Sequence, residues 1–225
     1  LNRNRFVKIK KGVVSFSKDE GQDEKREVKQ LRQLLEARLP KIRIEHLLME
    51  VDALSGFSRE LQPLDGPLKR DSDSLAILLA SIVAHGTNLG VFTMADSTTK
   101  ISVDMLRDVS KACLRHDTLK AANTALVNYQ KDIEVSSVWG SGETSSSDGQ
   151  RFGVSRRSLI TSVYPRYFGY YDQVVSVYTH ISDLMSVFNT QVISCGQREA
   201  PYVLNGLLEN DSELSPRRHH TDTGG

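Results

Sequence analysis

The hydrophobic pattern of this chain changes period near residue 130, and that change restricts the fold more than any other feature of the sequence. Upstream, apolar residues recur at three- and four-residue intervals, the repeat of one helix face. Val28, Leu31, Leu35 and Leu39 share such a face in the charge-rich stretch 22–39, which Pro40 ends. Ile44, Leu47, Leu48, Val51 and Leu54 form a second face that stops near Gly56. Residues 65–73, with Gly66 and Pro67, read as a loop, after which Asp73 or Ser74 can cap an apolar helix through Ala84. Ser102 can cap a helix to about Arg115, with Val103, Leu106, Val109 and Cys113 on one face. Asp117 can cap the next, which carries Leu119, Ala122, Leu126 and Tyr129. The pattern predicts helix everywhere up to about Gln130.

Beyond that point Ile133 and Val135 alternate with charged residues, and a polar, glycine-rich run follows. Residues 173–181 and 187–194 are β-branched and aromatic and read as strands. Residues 199–208 read as a short helix with Ala200, Val203, Leu204, Leu207 and Leu208 on one face, and 219–223 as a polar strand. The order is strand, strand, strand, helix, strand. A helix between two strands is what permits them to pair in parallel. Three antiparallel strands, a crossover helix and a parallel fourth strand beside the first make up the opening half of a ribonuclease-H-like domain. The expected fold is therefore α+β: a helical region over 1–130, then an incomplete ribonuclease-H-like domain with a mixed sheet over 131–225.

Charge does not advertise a nucleic-acid partner, since 29 basic residues face 28 acidic ones, a net of +1. A DNA-binding surface would have to come from local clustering. The longest apolar run, 75–84, is too short to span a bilayer, and the N-terminus lacks the pattern of a signal peptide. No membrane role is expected. Cys113 and Cys195 have neither metal-site spacing nor a disulfide framework, which suits a reducing cytoplasm. The chain begins with Leu and stops at Thr-Gly-Gly directly after an expected strand, so a fragment of a longer protein is expected.

Asp148 falls in the first of the expected strands and Asp222 in the fourth. In the expected fold these strands are neighbours, and the two carboxylates face one another at the end of the sheet. Paired carboxylates are hard oxygen ligands suited to Mg²⁺, and two such ions can activate water and stabilise the leaving oxygen of a phosphodiester. Taken alone, each aspartate is more often a turn or cap residue, because Asp-Gly and Thr-Asp-Thr-Gly are both turn sequences.

Trp-Gly-Ser-Gly-Glu-Thr-Ser-Ser-Ser-Asp-Gly-Gln-Arg-Phe, from Trp139 to Phe152, closely resembles a signature of the Tn-three family of replicative transposases. So do Tyr178-Thr179-His180-Ile181-Ser182-Asp183 and His220-Thr221-Asp222-Thr223-Gly224-Gly225. Upstream, Leu39-Pro40-Lys41-Ile42-Arg43-Ile44, Glu50-Val51-Asp52, the His85–Gly90 motif and Met94-Ala95 fit the same family in the same order. The resemblance implies an enzyme with an Asp, Asp, Glu triad that holds Mg²⁺, with Mn²⁺ as a substitute. It implies cleavage at the inverted-repeat ends of a transposon, joining of the freed 3′-hydroxyl to target DNA, and homo-oligomeric action of the full-length protein. Asp148 matches the first carboxylate and Asp222 the second, 74 positions apart. The third, a Glu on a later helix, matches no residue of this chain; Glu143 belongs to the first motif. The isolated chain is thus expected to be inactive, and a second reading is a non-catalytic DNA-binding or dimerising remnant. Ser141 stands where the family often has Asp.

Arg151, Arg156, Arg157 and Arg166 follow the first aspartate, and Arg217 and Arg218 precede the second. Each alone reads as a solvated surface charge; beside a nuclease centre the group could neutralise DNA phosphates. Tyr164, Tyr167, Phe168, Tyr170 and Tyr171 could stack on unpaired bases, but packing of the sheet is the favoured reading. His180 and His219 read as polar strand residues, with His220 a candidate to orient Asp222, and His85 has a structural role at a glycine turn.

Overall fold

The computed structural model describes residues 7–10, 13–16, 25–69 and 71–222, and the chain divides into two units, Leu1–Ile42 and Arg43–Gly225. In the first unit, strands β1 (Val7–Lys10) and β2 (Val13–Phe16) pair antiparallel, with Val7 opposite Phe16. This hairpin overturns the expectation of helix throughout the first 130 residues. Val7 and Ile9 alternate with Lys8 and Lys10, a period of two that runs for only four residues. Helix α1 (Arg26–Arg38) follows, and the expected start at Gln22 lies outside the described residues. Leu39 is extended because the ring of Pro40 disfavours the helical conformation in the residue before it.

The second unit opens with α2 (Ile44–Ser55), closed by Gly56 in the left-handed conformation at φ 68°. The Asp52 carboxylate accepts the Ser58 N–H at 2.8 Å and the Ser58 hydroxyl at 2.9 Å, fixing the 3₁₀ turn Phe57–Glu60. Helix α3 (Ser72–Gly86) is capped by Asp71, which accepts the Ser74 N–H at 2.7 Å, and not by Asp73 or Ser74. An aspartate three residues before a free N–H is placed for that bond. Helix α4 (Val91–Asp96) was not expected. Ser102 caps α5 (Val103–Cys113) as the pattern predicts, accepting the Met105 N–H at 3.2 Å. Helix α6 (His116–Asp132) starts before Asp117; Arg115 is its cap, and Asp117 sits in the first turn 3.0 Å from the Arg115 guanidinium.

These helices close over two apolar clusters. Phe57, Leu61, Leu78, Leu79, Cys113 and Ala122 form one; Val83, Ala84, Met94 and Leu106 form the other. His85 has the structural role expected of it, with Nε2 3.0 Å from the Ser110 hydroxyl. A third cluster, Val127, Leu184, Phe188 and Leu214, joins α6 to the sheet. Polar contacts set the docking angle: Asn123 donates to the Val187 carbonyl at 2.8 Å and Gln130 to the Leu184 carbonyl at 2.9 Å.

After a 3₁₀ turn at Glu134–Val138 come β3 (Thr144–Val154), β4 (Ser162–Tyr164), a single turn α7 (Pro165–Phe168), β5 (Gly169–Ser182), β6 (Val187–Ser194), α8 (Ala200–Leu208) and β7 (Arg218–His220). β5 pairs antiparallel with β3, β4 and β6, and β7 pairs parallel with β3. The chain is thus α+β with a mixed sheet, and the crossover through α8 gives the expected parallel fourth strand. The short β4 and α7 between the first two long strands are additions to the expected order.

The two faces of β3 differ. Ser145 and Ser147 are buried, together with Tyr178 and His180 of β5, under α8. Ser146, Asp148, Gln150 and Phe152 point the other way and are all exposed.

Candidate active site

The β3–β7 ladder has three rungs: Thr144 with Arg218, Ser145 with His219, and Ser146 with His220. Two residues beyond the last rung on each strand stand Asp148 and Asp222. Side chains alternate between faces with a period of two, so Asp148, inside β3, belongs to the face that carries Ser146. Asp222 therefore lies just past the end of β7 rather than within it. Thr221 and Asp222 leave the ladder, and the Thr221 hydroxyl turns to the Asp222 carbonyl at 3.1 Å. Both aspartates are exposed, and one Asp148 oxygen accepts the neighbouring Gly149 N–H at 2.7 Å. Tyr178, buried behind them, registers both. Burial pushes its phenol up, the hydrogen bond with Ser147 opposes this, and the charges of Glu199, Asp148 and Asp222 push it further up.

A buried polar network sits beneath the pair. The Ser145 hydroxyl lies 2.8 Å from His219 Nδ1, and the Ser147 hydroxyl lies 2.8 Å from both His219 Nε2 and the Tyr178 hydroxyl. His219 thus clips β7 to β3 by side chains as well as by main chain, directly upstream of Asp222. His180 is fully buried; its Nε2 must donate, because its partner at 3.1 Å is the Val203 carbonyl, and its Nδ1 has no partner among the described residues. These two histidines were expected as plain polar strand residues; they are instead the polar centre of the buried face. Burial lowers the affinity of both for a proton, and the neighbouring histidines lower that of His219 further.

A pH dependence follows. Both rings hold protons less tightly folded than unfolded, so below their unfolded value of 6.5 the unfolded chain takes up more protons. Stability is expected to be full above about pH 6.5 and to fall as pH drops below it. Melting curves from about pH 8 to about pH 5 check this, and the decline should be shallower in His219→Gln.

The Glu199 carboxylate lies close behind Gly149. A Cβ there would meet Glu199 Oε1 at 2.4 Å. Glu199 stands at the start of α8 with its side chain 17% exposed, 3.4 Å from the Arg151 guanidinium, which in turn lies 4.4 Å from the centre of the Tyr164 ring. Gly149→Ala is expected to swing the flexible Glu199 carboxylate away from Arg151 and cost about 1 kcal/mol, the order of one partly exposed ion pair. Urea unfolding measures it; Gly149→Ala combined with Glu199→Ala should recover part of the loss.

Arg151 is accordingly turned inward, while Arg156 and Arg157 lie exposed on the loop after β3. Arg217 and Arg218 donate their main-chain N–H groups to the Glu143 carbonyl at 2.8 and 3.1 Å, and the Arg217 side chain is 3.8 Å from the Glu143 carboxylate. Glu143 thereby anchors the entry to β7. Of the aromatic stretch, Tyr164 and Phe168 are half-buried, but Tyr167, Tyr170 and Tyr171 are exposed, so packing accounts for two of the five. Among the described residues, no three His, Cys, Asp or Glu side chains are grouped to hold a metal ion.

Residues 46–225 match the family model of the Tn3 transposase DDE domain. The chain belongs to the Tn3 transposase family. It is 40% identical over 189 residues to the transposase for transposon Tn501 of Pseudomonas aeruginosa, covering 83% of this chain and 19% of that protein. It is 32% identical to the transposase for transposon Tn1546 of Enterococcus faecium across 100% of this chain and 23% of that protein. The transposase for transposon Tn2501 of Escherichia coli is 38% identical over 83% of this chain and 18% of its own length. The chain therefore spans about one-fifth of the length of these relatives.

The fold of this Tn3-family chain brings two of its recognisable motifs together. Asp183 accepts the N–H groups of Gly142 at 2.8 Å and Ser141 at 3.3 Å, tying the turn after β5 to the start of β3. Ser141, where the family often has Asp, enters this contact through its main chain, which any residue supplies. Glu199, Tyr178 and the two buried serines escape sequence reasoning, because each needs a partner more than 20 positions away.

Proposed function

We propose that Asp148 and Asp222 are the first two carboxylates of a metal-dependent DNA cleavage and strand-transfer centre, carried on the opening half of a ribonuclease-H-like domain. The region through residue 130 serves as a helical DNA-binding or linker segment, and 131–225 as part of the catalytic domain. The observation that supports the reading is the β3–β7 register, whose last rung, Ser146 opposite His220, lies two residues before each aspartate. The donors suit the metal: two hard carboxylates, open to solvent, leave room for water and substrate phosphate, as Mg²⁺ requires and Mn²⁺ accepts. Family membership favours the same centre, since the matched model is that of a DDE domain.

When bound, a pair of divalent ions supplies an activated water and neutralises the leaving oxygen. The chain's own residues supply position. The Ser145–His219–Ser147 clip holds the two strands in register, and the exposed Arg156, Arg157, Arg217 and Arg218 are offered as phosphate contacts. The natural substrate is transposon-end DNA together with target DNA, handled by a longer homo-oligomeric transposase in which other segments complete the site. The two buried free cysteines suit a cytoplasmic setting.

Mn²⁺ binding to this chain tests the reading, followed by the paramagnetic signal of the free ion. Saturable binding is expected to weaken at least about tenfold in Asp148→Ala and in Asp222→Ala and to stay unchanged in Glu143→Gln. Equal binding by the aspartate variants would overturn the assignment.

A further inference from the structure

The far end of the β3–β5 ribbon carries a feature that the carboxylate centre does not use. Residues 151–172 hold four arginines against one acid, Asp172, in a chain whose net charge is +1. Arg151 is spent on Glu199; Arg156, Arg157 and Arg166 are exposed and, among the described residues, form no ion pair. Between the arginines runs a stack. Arg151 lies over Tyr164, the Tyr164 and Tyr167 rings are stacked at 5.8 Å, and Arg166 lies over Tyr167 at 5.2 Å. The ladder thus starts at the ion pair behind Gly149 and ends in solvent. Tyr170 is 75% exposed and Tyr171 93%, with no ring contact among the described residues, while Tyr167, 67% exposed, keeps its contacts with Tyr164 and Arg166.

The register relates this end to the aspartates. Asp148 pairs with Thr179 and Phe152 with Val175, and Tyr171 stands eight residues up β5 from Thr179, just beyond the last rung at Gln173. Eight residues of strand are about 27 Å, the length of about eight base steps of duplex or fewer of an extended single strand. A strand whose phosphate lay at the carboxylates would reach the tyrosines.

We propose that this end of the ribbon binds unpaired DNA, with Tyr167, Tyr170 and Tyr171 stacking on bases and Arg156, Arg157 and Arg166 neutralising phosphates. The assignment rests on the reading of this chain as part of a DNA-cleaving domain. Open ring faces beside guanidinium groups match a ligand that offers π-faces and negative charge together. Paired bases hide their faces, so an unpaired segment near the cleaved bond is the form that fits.

The test is fluorescence anisotropy of this chain with a labelled mixed-sequence single strand and with the corresponding duplex. The chain is expected to prefer the single strand, and Tyr167→Ala, Tyr170→Ala and Tyr171→Ala are each expected to weaken that binding about tenfold. Arg156→Ala with Arg157→Ala should reduce the slope of log affinity against log salt by about 1.4. All five side chains are exposed, so thermal melting should be unchanged and should exclude misfolding. Single-strand binding by the triple tyrosine variant within twofold of the parent would overturn the proposal. So would loss of self-association in sedimentation with DNA binding intact, which would make the surface a contact between copies. Mn²⁺ binding should be unchanged in the tyrosine variants, whose rings lie away from the carboxylates, so failure of Mn²⁺ binding and failure of strand binding are read separately.

Discussion

Gly206→Ala is expected to destabilise the chain by about 3 kcal/mol and to lower its melting temperature by about 6–12 °C. A Cβ at Gly206 would lie 2.0 Å from His180 Cε1 and 2.5 Å from each ring nitrogen. The far end of a flexible side chain could yield, but His180 has nowhere to go. Its ring is fully buried, 5.4 Å from Tyr178, 5.7 Å from Phe188 and 5.5 Å from His219. Either α8 lifts from the sheet or the ring loses its bond to Val203. Overpacking costs about 1–3 kcal/mol, and an orphaned buried donor costs about as much again. The gain in helix propensity, about 1 kcal/mol, offsets only part of this. Calorimetry or circular dichroism reads the shift. The double variant with His180→Ala should recover more than the two single effects predict, and an unchanged melting temperature for Gly206→Ala would show that the approach is not close.

The second large effect concerns chemistry. In a transposase that contains this segment, Asp148→Ala or Asp222→Ala is expected to reduce metal-dependent nicking of transposon-end DNA by about 10³-fold or more. The loss corresponds to several kcal/mol of transition-state charge stabilisation. Binding of the same DNA should change little, because phosphate contacts come from arginines elsewhere on the surface. Glu143→Gln supplies the contrast: its carboxylate sits in an exposed ion pair with Arg217, and such pairs are worth little. Single-turnover cleavage assays in Mg²⁺ separate the three variants. Nicking by Asp148→Ala at the parental rate would remove that residue from the centre.

Much of the architecture was legible because it depends on local pattern. The faces of α3 and α5 follow from spacing alone, and the Ser102 cap follows from residue type at a helix start, whereas α2 buries no residue and leaves Ile44, Leu47 and Leu54 exposed. The parallel return of β7 beside β3 followed from strand order, since only a crossover helix permits it. Local pattern failed where competing local signals were close in strength. Asp71, Asp73 and Ser74 are all competent caps, and the one whose side chain reaches the free N–H takes the position. The strands at residues 7–16 and the short β4 are each four residues or fewer, too short for periodicity to separate from loop.

The candidate site divides in the same way. The sequence by itself determined that Asp148 stands in a strand, that the chain belongs in outline to a mixed α+β fold, and which motifs mark its family. Those properties reside in neighbouring residues and in the order of elements. Only the tertiary structure decided that Asp222 lies past the end of β7 and that Glu199 stands behind Gly149. The same holds for the His219 clip joining the two strands, and for three tyrosines expected to pack remaining in solvent. The physical reason is that each of these depends on a partner brought close by chain crossing, and a side chain's environment is set by what folds onto it rather than by the residues beside it in the chain.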